Sequence, residues 1–322
     1  MRIIYLLEER IPQNLRDLVI ERIEKANFEY KLMFYSDPIE KQVRLIKWAE
    51  AVLCAPGRKI ADEVLEAGSH IKLYQLWSSG YDKFDCKKVR SMGIATSNNG
   101  GANAVSVAEH TLLLMLATCR QLPAFHARTV SGNWSGNSHG MDLFMLKGKT
   151  LGIIGLGNIG SAVAIRALAF GMKVVYSDIS AKLPENPLLK SVTRVALEEL
   201  LQVSDIVTLH LHLNSETEEL VGSEELALMK PTSILINVSR AGLIEQEAFK
   251  RALLTGRIWG AGLDVYPMEP TVPGDQILNH HRVVATPHTA GSTIDVYIEA
   301  IDRCISNLQR VSQGDTPEHV VN

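Results

Sequence analysis

The sequence predicts an α/β protein of two domains. The chain has 322 residues, beyond the ~250 to 300 at which a single core stops growing. Runs rich in Val, Ile and Leu alternate with longer amphipathic stretches, the pattern of a parallel sheet covered by helices. From Lys149 onward the strand signals become regular, as one larger sheet requires.

In chain order, "RIIYLL", "EYKLMFY", "AVLCA" and "IKLYQLW" read as strands, with helical stretches such as "NLRDLVIERIEKA" and "IADEVLEAG" between them. This first third can form a small α/β domain by itself. "NAVSVAEHTLLLMLATCRQLPAFHARTV" then reads as one long helix, without glycine or proline before Pro123, that bridges the domains. Six further strands are expected at "TLGIIGL", "KVVYSD", "DIVTLHLHL", "SILINVS", "GAGLDVY" and "RVVATPH". Helices such as "IGSAVAIRALAFG" and "EQEAFKRALLTG" separate them, and "STIDVYIEAIDRCISNLQRVSQG" closes the chain. Their natural assembly is a dinucleotide-binding fold.

Charge is balanced, with 33 Lys+Arg against 36 Asp+Glu and no basic block, so nucleic acid is not an implied partner. The most apolar stretch, "TLLLMLATC", is too short to span a bilayer, and the N-terminus reaches acidic residues after a few apolar ones. A protein of the cytoplasm, off the membrane, is expected. Cys54, Cys86, Cys119 and Cys304 are scattered without a Cys-x-x-Cys pair, which suits a reducing compartment and suggests no zinc site. His210 and His212, read as sharing one strand face, and the pair His280 and His281 lack the acidic or Cys partners of a metal set, so no metal is expected.

The strand "TLGIIGL" runs into "GLGNIG", placing Gly155, Gly157 and Gly160 between a strand and a helix. That context gives the motif its force: a tight turn, room for a pyrophosphate against the backbone, and close helix packing. The helix N-terminus then offers N–H groups to the phosphates. Asp178 ends the next strand, where a carboxylate accepts from ribose hydroxyls and repels a 2′-phosphate. Ile179 and Ser180 supply no arginine for such a phosphate. NAD is the expected cofactor.

Ligands of such sheets lie beyond the carboxyl ends of the strands. Arg240, Asp264 with Glu269, and His288 stand at three such ends. Arginine grips a carboxylate bidentately and polarises a carbonyl. Histidine can hand over a proton near neutrality, and a glutamate beside it favours the imidazolium and holds the ring. Together these types suit hydride transfer to a 2-keto acid, although each alone also has an ordinary structural use. Trp77 serves equally as a pocket wall or a core aromatic.

The ordered stretches "SSGYDKFD", "NAVSVAEHTLLLML", "SGNW", "LKGKTLGIIGLGNIGSAVA", "NVSRAGLIEQEAF", "GAGLDVYPMEP", "ATPHTAGST" and "VVN" cover nearly the whole chain. On them the sequence closely resembles the D-2-hydroxyacid dehydrogenase family. The resemblance implies a Rossmann NAD domain over residues 101–289, inserted in a flavodoxin-like substrate domain built from residues 1–100 and 290–322. It also implies a homodimer. It assigns catalysis to Arg240, Glu269 and His288, and substrate binding to Ser79 and Gly80 through backbone N–H groups, to Asn103 and to Arg240. On the cofactor side it points to Asn158 and Ile159 in the glycine loop and to Asp178 on the ribose. Leu211, His212 and Thr217 fall along the pyrophosphate, and Val238, Asp264, His288 and Gly291 near the nicotinamide.

Departures narrow the substrate. Ala241 stands where the family commonly has glycine and His212 where it commonly has proline, departures that bear on cofactor-loop geometry and not on the chemistry. Glu269 disfavours formate oxidation, which goes with glutamine there, and Ser79 disfavours phosphite oxidation, which goes with lysine. Ala55 and Gly57 occupy places where phosphoglycerate dehydrogenases carry arginines, leaving only Arg58 nearby. The other class of function is a dinucleotide-sensing binding protein like the corepressors that share the fold. No Tyr-x-x-x-Lys pair of the short-chain dehydrogenases occurs.

Overall fold

The opening run forms β1 (Arg2–Leu7), in which every residue after Arg2 is buried. Its side chains alternate between two layers, Ile3, Tyr5 and Leu7 in one apolar cluster and Ile4 and Leu6 in another. A strand buried on both faces therefore reads as continuously apolar. In this computed structural model, which describes residues 1–55, 59–134, 136–180 and 186–322, the chain divides into two units. One comprises Met1–Asn103 with Ile294–Asn322, the other Ala104–Thr293.

The first unit continues through α1 (Gln13–Lys25), β2 (Glu29–Phe34), α2 (Ile39–Trp48), β3 (Ala51–Cys54), α3 (Asp62–Ala67), β4 (Leu73–Leu76), α4 (Cys86–Ser91) and β5 (Ala95–Ser97). Its strands form a parallel sheet in the order β2-β1-β3-β4-β5, the flavodoxin-like arrangement.

The second unit holds α5 (Ala104–Cys119), α6 (Leu122–Val130), β6 (Thr150–Ile154), α7 (Asn158–Ala169), β7 (Lys173–Ser177), β8 (Thr193–Arg194), α8 (Leu197–Val203) and β9 (Ile206–Leu209). It continues through α9 (Ser223–Leu228), β10 (Ile234–Asn237), α10 (Gln246–Leu254), β11 (Gly260–Leu263) and β12 (Val283–Ala285). Its parallel sheet runs β12-β11-β10-β9-β6-β7-β8. The order reverses direction between β6 and β9, and such a switch point opens a crevice for ligands. One face packs α5 and α7, through Val107, Leu114, Met115, Val163 and Ala167, against Leu151, Ile153, Ile234 and Ile236. The other packs α8, α9 and α10 through Leu200, Leu226 and Phe249.

The chain then returns to the first unit as α11 (Ile294–Gln313). Its Ala300, Ile301, Cys304, Ile305 and Leu308 share a cluster with Val19 and Ile23 of α1 and with Ile3, Tyr5 and Leu7 of β1. The final Asn322 accepts from the Thr96 N–H (2.9 Å) and donates to the Ile94 carbonyl (2.9 Å), fastening the tail to β5.

Three local expectations are corrected. The long helix breaks after Cys119, where Gln121 takes φ +47. Pro123 has no N–H and its ring clashes with the carbonyl four residues back, that of Cys119, which accepts from the Phe144 N–H at 3.4 Å instead. The "DIVTLHLHL" strand stops at Leu209, so His210 and His212 lie beyond it rather than on a strand face. Two strands went unforeseen, β5 of three residues and β8 of two, too short for alternation to register.

Candidate active site

The turn after β6 requires its glycines individually. Gly155 has φ +94, and a Cβ there would lie 2.6 Å from the His210 carbonyl oxygen. A Cβ on Gly160 would lie 2.1 Å from the Gly155 carbonyl oxygen, so α7 approaches the turn as only glycine permits. Gly157 differs: a Cβ there would meet nothing within 4 Å. Open space thus stands over the first turn of α7, where Asn158 and Ile159 begin the helix without a side-chain cap. Uncapped N–H groups at the positive end of a 12-residue helix favour an anion, and this cradle fits a dinucleotide's pyrophosphate.

Asp178 follows β7. Its Oδ2 accepts from the Leu156 N–H (2.7 Å) and its Oδ1 from the Ser180 N–H (2.7 Å), tying the acid to the glycine turn. At the same edge Arg194 of β8 donates through Nη2 to the Asp178 carbonyl (2.7 Å). Across the switch point, Leu211 lies against Gly155, its Cδ2 2.7 Å from where a Cβ would stand. The Thr217 hydroxyl donates to the His212 carbonyl (2.6 Å) and accepts from the Asn214 N–H (2.9 Å), which closes the turn after β9. Beyond it Val238 is buried, and the Ser239 hydroxyl donates to the Leu209 carbonyl (2.7 Å). Burial pulls the His210 imidazole down to about 3, so it stays neutral; its Nε2 meets the Thr208 hydroxyl at 3.0 Å.

Beyond β11 and β12 the polar groups interlock. His288 Nδ1 lies 2.8 Å from Glu269 Oε2, with both side chains partly exposed, and the Tyr266 N–H donates to Glu269 Oε1 (3.1 Å). His288 has φ +55, a conformation that few residues other than glycine adopt. Asp264, fully buried, holds the segment that carries it. Asp264 accepts from the Thr286 hydroxyl (2.6 Å) and the N–H groups of Thr289 (2.9 Å) and Ala290 (2.8 Å), just before Gly291. Burial and the nearby Asp264 charge push the Tyr266 phenol up to about 12. It therefore remains a donor and bonds the carbonyls of Thr286 (2.8 Å) and Leu263 (3.0 Å). From α5, His110 Nε2 reaches the Thr286 hydroxyl at 2.8 Å. Arg240 follows β10, with its carbonyl accepting from Asn237 Nδ2 (2.8 Å) and its Nη1 donating to the Ser239 carbonyl (2.8 Å).

In the first unit, the loop after β4 is fixed by asparagines. The Ser79 hydroxyl lies 2.6 Å from Oδ1 of both Asn99 and Asn103, and Asn98 Nδ2 donates to the Ser79 carbonyl (2.9 Å). The Gly80 carbonyl accepts from the Ser78 hydroxyl (2.7 Å). Both carbonyls are thus engaged, while the N–H groups of Ser79 and Gly80 donate to no acceptor among the described residues. Trp77 is 6% exposed, edge-on to Tyr297 at 5.9 Å, and so belongs to the core. Gly57 and Arg58 lie outside the described residues, while Ala55 is buried.

His110, Tyr266 and Arg194 are not legible in the sequence. His110 and Tyr266 carry no spacing signal, because they act on the backbone of Thr286 and its hydroxyl. Arg194 sits 16 residues beyond Asp178 and reaches it only because β8 pairs with β7, Tyr176 opposite Arg194.

Residues 112–290 match the family model described as D-isomer specific 2-hydroxyacid dehydrogenase, NAD binding domain. The chain belongs to the D-isomer-specific 2-hydroxyacid dehydrogenases. It is 34% identical over 307 residues to a glyoxylate reductase of Korarchaeum cryptofilum, covering 94% of this chain and 92% of that one. It is 37% identical over 284 residues to a hydroxypyruvate reductase of Thermotoga maritima, covering 85% and 90%. A solved D-lactate dehydrogenase of Aquifex aeolicus, complexed with NAD and lactic acid, superposes with a TM-score of 0.84 at 28% identity, over 97% of this chain and 96% of that one. The expected fold class, the family and the NAD-dependent dehydrogenase class are therefore established for this chain. Among the described residues no helix is long and apolar enough to cross a membrane, and no three His, Cys, Asp or Glu side chains form a metal cluster.

Proposed function

We propose that this dehydrogenase reduces a small 2-keto acid, of the size of glyoxylate or hydroxypyruvate, to its D-2-hydroxy acid. His288 is the acid/base, Glu269 its partner, and Arg240 the cation for the carboxylate and carbonyl. The observation that carries the reading is the 2.8 Å bond between His288 and Glu269 on a backbone held at φ +55. Backbone strain of this kind persists only where the surroundings enforce it, and it concentrates at functional sites. Here Asp264 and the Tyr266 hydroxyl enforce it.

When bound, the reduced nicotinamide supplies a hydride to the carbonyl carbon. The imidazolium of His288 delivers the accompanying proton to the carbonyl oxygen from Nε2, while Nδ1 stays on Glu269. Arg240 stabilises the charge that develops on that oxygen. The unengaged N–H groups of Ser79 and Gly80, with Asn103 beside them, bind the carboxylate. Gly155, Gly157, Asn158, Ile159 and Gly160 hold the pyrophosphate, Asp178 the ribose, Leu211, His212 and Thr217 the far side of the phosphates, and Val238, Asp264 and Gly291 the nicotinamide end. These roles are proposals, as are a homodimer and a cytoplasmic location, the latter suited by four unpaired cysteines.

The test is NADH oxidation across glyoxylate, hydroxypyruvate, pyruvate and bulkier 2-keto acids. The smaller acids are expected to turn over fastest. A protein that binds NADH yet oxidises it with none of them contradicts the proposal.

A further inference from the structure

The cofactor crevice carries an arginine that its motifs do not announce. Arg194 lies on the exposed edge strand β8, in register with Tyr176 of β7. Its Nη2 donates to the carbonyl of Asp178 at 2.7 Å, and among the described residues no carboxylate pairs with it. The guanidinium is thus anchored by one N–H beside the acid assigned to the ribose, with its other donors uncommitted among the described residues. Asp178 itself is not a bare charge. Each carboxylate oxygen already accepts one backbone N–H, from Leu156 and from Ser180, at 2.7 Å. Such bonds spread the charge and weaken its repulsion of a neighbouring anion.

We propose that Arg194 is a specificity residue that admits a 2′-phosphomonoester on the adenosine ribose, so that the protein binds NADPH as a second cofactor beside NADH. The proposal rests on the placement of the ribose at Asp178. A guanidinium presents a planar fork of donors that matches phosphate geometry, and its charge persists at any working pH. Asp178 keeps NADH the tighter ligand by accepting from the ribose hydroxyls that NADPH lacks in part. Arg194 offsets that disadvantage, so selectivity at this edge is set by two residues of opposite charge that arrive from neighbouring strands.

The experiment is equilibrium titration of the intact protein with NADH and with NADPH at one fixed, low ionic strength, in the wild type, Arg194→Ala and Arg194→Lys. A charge-assisted contact to phosphate is worth about tenfold or more in affinity. The Arg194→Ala substitution is expected to widen the ratio of NADPH to NADH dissociation constants by about that factor, with Arg194→Lys between it and the wild type. Added salt should weaken NADPH more than NADH. An unchanged ratio in Arg194→Ala, or wild-type protein that binds NADH but not millimolar NADPH, overturns the proposal while leaving the ribose assignment standing. Wild-type protein that binds neither dinucleotide overturns both.

Discussion

His288 is held in an unfavourable backbone conformation, and four groups outside the imidazole keep it there. Asp264 binds the N–H groups on its C-terminal side, Tyr266 and His110 engage Thr286 on the other, and Glu269 takes the ring. Fixing the ring before substrate arrives removes reorganisation from the reaction itself. The task proposed for Arg240 is different, since a planar fork and a point charge grip a carboxylate differently. Arg240→Lys is expected to lower kcat/KM for the preferred keto acid about 10- to 100-fold; an effect under threefold in steady-state kinetics contradicts its role. The His288–Glu269 contact was legible because side-chain chemistry and strand-end position point the same way, and the proposed role of Arg240 rests on the same two signals. The groups that position them were not, because a tyrosine hydroxyl bonding a backbone carbonyl leaves no pattern in sequence.

Elements were legible in proportion to their length and periodicity. β1, β6 and β10 announce themselves as apolar runs and are buried on both faces. β8, with two exposed residues, announces nothing, and its omission hid Arg194. The junction of β6 and β9 depends on a charge. Asp205, just before β9, accepts from the Thr150 N–H (2.8 Å) and the Lys230 ammonium (2.9 Å). Burial alone would raise its carboxyl, but these two partners and the Lys149 charge together outweigh burial and hold it below the ordinary carboxylate range. A depressed folded-state value means the stabilisation is present above the ordinary range and is lost as pH falls through the folded value. Asp205→Asn is therefore expected to lower unfolding free energy by about 1–2 kcal/mol at neutral pH, with the difference from wild type shrinking below about pH 4. Urea titrations at both pH values check this; an equal deficit at both contradicts it.

At the scale of the molecule, a regular series of strands with a glycine turn after the first foretold the switched sheet, whose order places that turn at the reversal. The sequence could not say how the outer surface is covered. Leu113 on α5, Leu122 and Val130 around α6, and Trp134, Met141 and Met145 beyond it are exposed apolar side chains on one unit. They fall on adjoining segments of the chain, and a second copy of the chain is the proposed cover. Light scattering is expected to give a dimer for the wild type, and a monomer for Leu113→Arg combined with Val130→Arg. A wild-type monomer at tens of micromolar contradicts the proposal. The central claim is that His288 supplies the proton for reduction of a 2-keto acid. Its most direct test is kcat/KM for NADH oxidation with glyoxylate and hydroxypyruvate, measured across neutral pH for the wild type and His288→Ala. His288→Ala is expected to lose about 10²- to 10⁴-fold in kcat/KM. Near-normal turnover in that variant would contradict the role.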